Sequence, residues 1–385
     1  MRVLFVATVL GHIYAFHLPY LKWFRDRGFE VHVAASFADT KSQYESGGDI
    51  NEHCDKLHDV SICRSPFRLK NITAYRQLKK IIDDEAFDIV HGHTPMGGIL
   101  ARLCARGQRK KDTRVLYTAH GFHFHKGASL INWLLYYPIE KLCARFTDVL
   151  ITINSEDFEL ARRKMRARKV CYIPGIGCDT KKFANTPIDI EKKRDELGVK
   201  QDEVMLLSVG ELISRKNHET IIKAIAKLSN SRIKYFICGD GILMPYLKNL
   251  TITLGISKQV ILLGYRKDIA ELCKTADIFC FASYQEGLPI ALIEAMASGL
   301  PVVASNIRGV VDCVENNITG LLCNPKDIDA FANAIDYLVK NPDTRKQMGN
   351  HSKTAAQRFD IKNVMQEMEK IYLDVIQRNS LKDKY

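Results

Sequence analysis

At 385 residues the chain exceeds what one hydrophobic core comfortably serves, and an apolar share of 46% excludes disorder, so two globular domains are expected. The formal net charge of +12 is uneven: residues 1–182 hold 29 Lys+Arg against 19 Asp+Glu, and the remainder 27 against 25. That asymmetry favours an anionic membrane surface or a phosphorylated acceptor as a partner of the first half. Nucleic acid is not expected, because the basic runs Arg109-Lys110-Lys111 and 162–169 are neither interleaved with exposed aromatics nor set in a recognised binding motif; a solvated helix face explains either run alone.

Eleven cysteines, an odd number with no C-x-x-C, point to reduced thiols in a cytosolic protein rather than a disulfide frame or a zinc site. The apolar start at residues 3–10 is too short to span a membrane and lacks a small-residue cleavage site. No run elsewhere reaches about 18 apolar residues, so the chain is not expected to be integral to a membrane.

Strand-like and helix-like segments alternate, the pattern of a parallel sheet covered by helices. Residues 3–9 read as a strand, 13–27 as a helix stopped by Gly28, and 30–35 as the next strand. A helix at 72–83, strand 89–91, helix 97–106 and strand 115–118 follow. Residues 126–146 are rich in Leu and Ile with Trp133, Tyr136 and Tyr137, and carry Lys126, Lys141 and Arg145 at the ends. They read either as a core helix or as a greasy, cationic edge resting on lipid headgroups.

Strands at 149–153 and 170–173 lead into Pro174-Gly175-Ile176-Gly177, which with the polar run 179–193 forms a candidate linker. A second alternating set occupies 204–209, 218–228, 234–238, 244–254, 260–263, 268–273 and 278–281. An apolar helix after Pro289, a strand at 300–304, and helices at 328–340 and 361–377 complete the chain. The expected architecture is α/β: two facing Rossmann-like doubly wound domains, 1–178 and 179–360, with ligands in the cleft at the carboxyl ends of their strands. The terminal helix, 361–385, is expected to pack back on the first domain.

Chemistry concentrates after the second domain's strands. Glu294 is the only charged residue from Pro289 to Ala297, in a helix that is otherwise apolar on all sides and so buried; its carboxylate needs a partner or a ligand. Pro289 suits the first helical position and Gly299 the helix stop. Glu286 precedes the same helix, beside backbone N–H groups that favour anions. The glutamates read either as partners of a hydroxylated, phosphorylated ligand or as members of an internal ion pair to a lysine. Arg215-Lys216, between a strand and a helix, read as a diphosphate clamp or as surface cations. Gly239-Asp240-Gly241 ends another strand, for close approach of backbone to a ligand or for a tight turn. Met244 occupies the third glycine position of a G-x-G-x-x-G, so a nicotinamide or flavin site of that type is not expected.

In the first half, Gly11-His12 follows strand one, His91-Gly92-His93 follows another strand, and His120 to His125 holds three histidines after a third. These bind metal or donate hydrogen bonds; with no carboxylate or cysteine nearby in sequence, hydrogen bonding is the expectation.

In this order the motifs resemble the retaining family 4 glycosyltransferases of the GT-B fold, over essentially the whole chain. The first half is most similar to the bacterial enzymes of capsular and exopolysaccharide assembly, through Ala15-Phe16-His17-Leu18-Pro19-Tyr20, His91-Gly92-His93-Thr94-Pro95 and Thr118-Ala119-His120-Gly121-Phe122-His123-Phe124. Ser208-Val209-Gly210, Arg215-Lys216-Asn217-His218, Gly239-Asp240-Gly241 and the Glu286/Glu294 pair carry the resemblance in the second half.

The resemblance implies transfer of a sugar from a nucleotide diphosphate sugar, a UDP-sugar above all, to a lipid-linked or saccharide acceptor, at the inner face of the cell membrane. It implies no cofactor and no metal. Lys216 and Arg215 would neutralise the diphosphate; Glu294 would accept from ribose hydroxyls; Glu286, with the N–H groups of Gly287 and Leu288, would meet donor sugar and phosphate. His120 would lie near sugar and acceptor, Gly11 would face the diphosphate, and Tyr265 and Arg266 would hold the base largely through backbone. Gly210, Gly239, Asp240 and Gly241 complete the implied donor site. Glu211 stands where many relatives carry arginine, shifting phosphate neutralisation onto Arg215 and Lys216. Retention implies same-face attack, with a donor phosphate oxygen taking the acceptor proton, or a covalent intermediate on a carboxylate. A nucleotide-sugar epimerase of the same fold and a non-catalytic sugar- or lipid-binding protein are the alternatives.

Overall fold

The computed structural model describes residues 1–38 and 50–380. Its contacts divide the chain into two units: one of Met1–Ile176 together with the segment from Val364 onward, the other of Gly177–Asn363.

In the first unit seven strands form one sheet: β1 (Arg2–Val9), β2 (Glu30–Ser36), β3 (Lys56–Asp59), β4 (Ile89–His93), β5 (Arg114–Ala119), β6 (Val149–Thr152) and β7 (Lys169–Tyr172). Their order is β3-β2-β1-β4-β5-β6-β7, and every pairing is parallel. The second unit repeats the plan with β8 (Val204–Val209), β9 (Ile233–Cys238), β10 (Val260–Gly264), β11 (Ile278–Phe281), β12 (Val302–Ser305) and β13 (Gly320–Cys323), ordered β10-β9-β8-β11-β12-β13 and again wholly parallel. The central strands are apolar on both faces because helices cover both: Val3 to Ala7 and Met205 to Leu207 have no exposed surface. Each sheet reverses direction of strand order once, between β1 and β4 and between β8 and β11. At those switch points, loops from neighbouring strands diverge and leave space at the carboxyl edge.

The terminal helix Ile361–Ser380 contributes Tyr372 to the first unit, where its ring meets Trp23 at 5.3 Å and Phe24 at 4.7 Å. Arg27–Glu369 at 2.5 Å and Lys169–Asp374 at 3.0 Å flank it. Residues 381–385 of the expected helix lie outside the described residues.

Three local expectations change. The helix expected over 13–27 is two, Leu10–Phe16 and Leu18–Arg25, divided at His17. Pro19 supplies the reason, since it has no N–H to continue the first helix's ladder. The run 179–193 is no linker: it forms helices Thr180–Asn185 and Ile190–Glu196, capped by Asp179 and Asp189 through 3.0 Å bonds from Lys182 N and Lys192 N. Its polarity serves caps and ion pairs, including Lys193 against Asp268 at 2.8 Å and Glu271 at 3.0 Å. The sequence reading also passed over β3, β13 and the helix Pro342–Ala356, which are short or polar segments without clear periodicity.

A charged group is built into the first unit's interior. Arg102, with no exposed surface, donates to both carboxylate oxygens of Glu140 at 2.8 and 3.1 Å, and its guanidinium lies 3.8 Å from the Tyr117 ring centroid. Breaking such a pair strands a buried charge, whereas replacing both partners by apolar groups does not. Glu140→Ala should therefore destabilise the protein by about 3–5 kcal/mol in chemical denaturation, and Arg102→Met with Glu140→Leu by much less. Equal costs for the single and the double variant would refute a paired arrangement.

Candidate active site

β8 ends at Val209, and after Gly210 the chain enters a single 3₁₀ turn, Ser214–Lys216, closed by Asn217 in the left-handed conformation at φ 54°. Asn217 tolerates that backbone and uses its side chain to fix the turn. Its Nδ2 donates to Ala282 O at 3.0 Å and Pro325 O at 2.9 Å, while its Oδ1 accepts from Thr220 Oγ1 at 3.0 Å. Tyr284 N also donates to Arg215 O at 2.8 Å. The turn is thus tied to the end of β11, and both cations are delivered to residues 284–288.

There Lys216 Nζ donates to Glu286 Oε1 at 2.8 Å and Arg215 Nη1 to the same oxygen at 3.0 Å. Arg215 also reaches Gln285 O at 2.9 Å, and Lys216 Nζ stands 5.2 Å from the Phe281 ring centroid. Glu286 is 9% exposed. The internal ion pair to a lysine, one of the two readings of the sequence, is therefore present, with an arginine added. Arg308, which the motifs did not indicate, donates from Nε to Glu286 O at 3.2 Å. Gly309 beside it has φ 77°, and a Cβ there would meet Gly287 O at 2.1 Å, so the loop carrying Arg308 can sit this close only with glycine.

The helix after Glu286 is Ile290–Ala297, with Pro289 as its N-cap rather than its first residue, and Gly299 follows it at φ 91°. Among the described residues the N–H groups of Gly287 and Leu288 have no hydrogen-bond partner. Two cations, two such donors and a helix N-terminus make an edge of one unit whose chemistry suits an anion.

Glu294 differs from Glu286. It lies on the helix face near Lys182 of the helix Thr180–Asn185, and burial pushes its carboxyl up to about 7, with Lys182 pulling the other way. Among the described residues its carboxylate has no hydrogen bond or ion pair.

Gly239 N donates to Gly264 O at 2.8 Å, and a Cβ on Gly239 would meet Gly210 O at 2.0 Å. Gly241 sits against the Leu212 backbone. These glycines let the ends of β8, β9 and β10 pack together, the tight-turn reading, while Asp240 stays exposed. Tyr265 is exposed, whereas Arg266 is held by Asp268 at 2.5 and 2.8 Å.

In the first unit Gly11 is buried in the first turn of the helix Leu10–Phe16 instead of in a loop. The sequence showed the histidines as separate groups; the carboxyl edge of β1, β4 and β5 gathers His12, His17, His91, His93 and His120. Burial lowers the ring pKa of all five, to about 4 for His12 and about 3 for His91, and mutual repulsion adds to the effect at His17, His93 and His120. They are neutral near pH 7. His123 instead stacks on Tyr136 at 4.5 Å, and His125 lies outside the group against Lys126 O. A cavity of about 350 Å³ adjoins, its lining including Thr8, His12, Arg64, His123, Tyr136 and Glu140.

Residues 126–146 form a surface helix, Leu130–Ala144, with Leu130 80%, Ile131 66% and Leu134 74% exposed, which is the greasy-edge geometry. Arg109 of the basic run is bound to Asp148 at 2.7 and 2.9 Å and so is a structural cation. No helix of the described residues is long and apolar enough to cross a membrane.

Comparison with known proteins gives the same division. Residues 2–154 match the family described as Glycosyl transferase 4-like, and residues 189–355 match Glycosyl transferases group 1. A Bacillus subtilis (strain 168) protein designated glycosyltransferase EpsD is 40% identical over 375 residues, covering 96% of each chain. The Escherichia coli UDP-Gal:alpha-D-GlcNAc-diphosphoundecaprenol alpha-1,3-galactosyltransferase is 31% identical over 323 residues, 82% of this chain and 83% of that one. The crystal structure of Anabaena Alr3699/HepE in complex with UDP superposes with a TM-score of 0.80 at 20% identity, covering 97% of this chain and all of that one, and so shares the fold. With both halves matched in family order and a relative aligned along nearly its whole length, the chain belongs to the family 4 glycosyltransferases of the GT-B fold.

Proposed function

We propose that this glycosyltransferase moves a hexosyl or N-acetylhexosaminyl group from a UDP-sugar to a lipid-linked acceptor, with retention, in capsule or exopolysaccharide assembly. The observation that carries this reading is the convergence of Lys216 and Arg215 on Glu286 beside the unpaired N–H groups of Gly287 and Leu288. Supporting the substrate classes, the E. coli relative is named for a UDP-Gal donor and a diphosphoundecaprenol acceptor.

In this mechanism the donor diphosphate takes the place of Glu286 as the main partner of the two cations. As the bond from the anomeric carbon to the diphosphate lengthens, negative charge grows on the leaving oxygen. Lys216, Arg215 and the end of the helix Ile290–Ala297 stabilise it, with no divalent ion required at the diphosphate. Glu286, released from its cations, accepts hydrogen bonds from sugar hydroxyls. A donor phosphate oxygen takes the acceptor proton on the same face. Glu294 accepts from the ribose, Tyr265 and Arg266 hold the base through backbone, Gly210 and Gly239-Asp240-Gly241 shape the pocket floor, and Gly11 and His120 keep the roles that the family pattern gives them.

Acceptor access is proposed to use the surface helix. Leu130, Ile131 and Leu134 enter the headgroup boundary of an anionic membrane while Lys126, Lys141 and Arg145 meet its charge, so that the protein is peripheral at the cytoplasmic face.

The direct test supplies donor alone and then donor with lipid-linked acceptor. Nucleotide release that depends on the acceptor is expected; an epimerised donor, or no turnover, would refute the transfer reaction. Lys216→Ala should lower kcat/KM by about 10²–10³-fold with the fold intact, because Arg215 remains to pair Glu286, and added magnesium should not restore it. Near-normal turnover would remove Lys216 from the site.

Glu294 yields a pH dependence. Ribose hydroxyls bind its ionised form, so donor binding should strengthen as pH rises from about 6 to about 8, through its value of about 7. A nucleotide diphosphate sugar has no phosphate that titrates there, and the dependence should vanish in Glu294→Gln. The folded protein itself should respond oppositely. A carboxyl raised above its unfolded value stabilises the fold at low pH, and loses that contribution as pH climbs from about 4.5 through about 7. Calorimetric titration checks the first effect and melting curves of the two proteins check the second.

Finally, Ile131→Glu with Leu134→Glu should abolish co-sedimentation with phosphatidylglycerol vesicles while leaving the melting temperature unchanged. Retained vesicle binding would exclude this helix as the membrane contact.

A further inference from the structure

We infer that His12, His17 and His120 form a three-nitrogen site for a divalent transition-metal ion of the zinc class, within the first unit. Each residue comes from a different structural position. His12 is on the helix Leu10–Phe16, His17 is at the break before the next helix, and His120 follows β5. Their ring nitrogens nevertheless converge: His12 Nε2 lies 3.3 Å from His120 Nε2 and 3.3 Å from His17 Nε2, and one ring nitrogen from each of the three falls within 4.8 Å of the others. Nitrogens bound at the usual zinc distance in a tetrahedral arrangement stand about 3.3–3.4 Å apart.

Hydrogen bonding accounts for this arrangement poorly. A neutral ring nitrogen either donates one proton or accepts with one in-plane lone pair. Yet His12 Nε2 faces two other nitrogens, and His120 Nε2 faces both His12 and His93 Nδ1, the latter at 3.4 Å. Buried His93 also has no partner for its Nε2. His91, next to the group, shows what a satisfied histidine looks like here. Its Nδ1 pairs with Tyr372 Oη at 3.0 Å and its Nε2 with Thr118 Oγ1 at 2.8 Å. A metal ion would take one lone pair from each of His12, His17 and His120 at once.

A donor set of imidazoles alone selects zinc, cobalt, nickel or copper over magnesium and calcium, which prefer oxygen. His12 also borders the 350 Å³ cavity, so a fourth coordination position has a route for water or an anionic oxygen. The site holds no residue of the diphosphate clamp, but it takes His120 Nε2, so an ion there would leave that ring only Nδ1 for the proposed sugar contact; the test therefore reads metal binding and not turnover.

The test uses the whole chain, stripped with a chelator and then titrated with Zn²⁺ by calorimetry and with Co²⁺ by visible absorption. One equivalent should bind, with the intense bands of tetrahedral cobalt and without the near-ultraviolet band of a cobalt–thiolate bond, which separates this site from the eleven cysteines. His12→Gln and His17→Gln should each weaken binding at least about tenfold. Glu85→Gln, in the other histidine and carboxylate group with Glu30 and His32, should leave it unchanged. His12 is partly exposed, so His12→Gln keeps the test usable if His17→Gln fails to fold. Zinc should also raise the melting temperature of the wild type and not of His12→Gln. Absence of stoichiometric binding in the wild type, a thiolate band, or full binding in folded His12→Gln would each overturn the site.

Discussion

A single carboxylate oxygen shared by two cations organises the carboxyl edge of the second unit. Lys216 and Arg215 both bond Glu286 Oε1, and the surrounding framework brings them together. Asn217 pins the turn that carries the cations, and Gly309 lets Arg308 approach the Glu286 carbonyl. The pairing holds two long side chains that would otherwise lose rotamer freedom on binding an anion. Glu286 therefore positions the cations as well as offering an acceptor of its own. Arg215 is 39% exposed at its side chain and Lys216 15%, so a solvated anion can reach them both.

The first unit solves a different electrostatic problem. Its carboxyl edge gathers five neutral histidines, and its interior holds Arg102 and Glu140 as a compensated pair. Neutral rings at close range avoid the cost of buried charge, yet leave lone pairs available. The formal excess of basic residues resides elsewhere: part is consumed structurally, as in Arg109 with Asp148, and part flanks the exposed apolar helix Leu130–Ala144. Charge counted along the sequence thus overstated how much of it is free to meet a partner.

Much of the fold was legible because a parallel sheet buried on both faces writes itself as apolar runs, and β1, β8 and β11 were read within a residue or two. Edge strand β3, which is short and paired on one side only, and the helix Pro342–Ala356, most of whose residues are polar, lack that signature. The run 179–193 was misread because capping aspartates and exposed lysines resemble linker composition until their bonds are seen. At the site, the glutamates, cations and glycines were visible as motifs. Asn217 was visible only as a motif letter and Arg308 not at all, because each acts through a partner distant in sequence.

What the sequence determined by itself is the family, the two doubly wound halves and the residue types at each strand end. Those properties are written in consecutive residues: periodicity, turn glycines and motif spacing. Only the tertiary structure decided which of those residues meet. Lys216 and Glu286 are 70 positions apart and His12 and His120 are 108 apart, so their pairing depends on strand order and on how each sheet's loops converge. It also decided that Glu294 is without a partner among the described residues while Glu286 has two. Burial and partner choice are collective outcomes of packing, and no local stretch of chain encodes them.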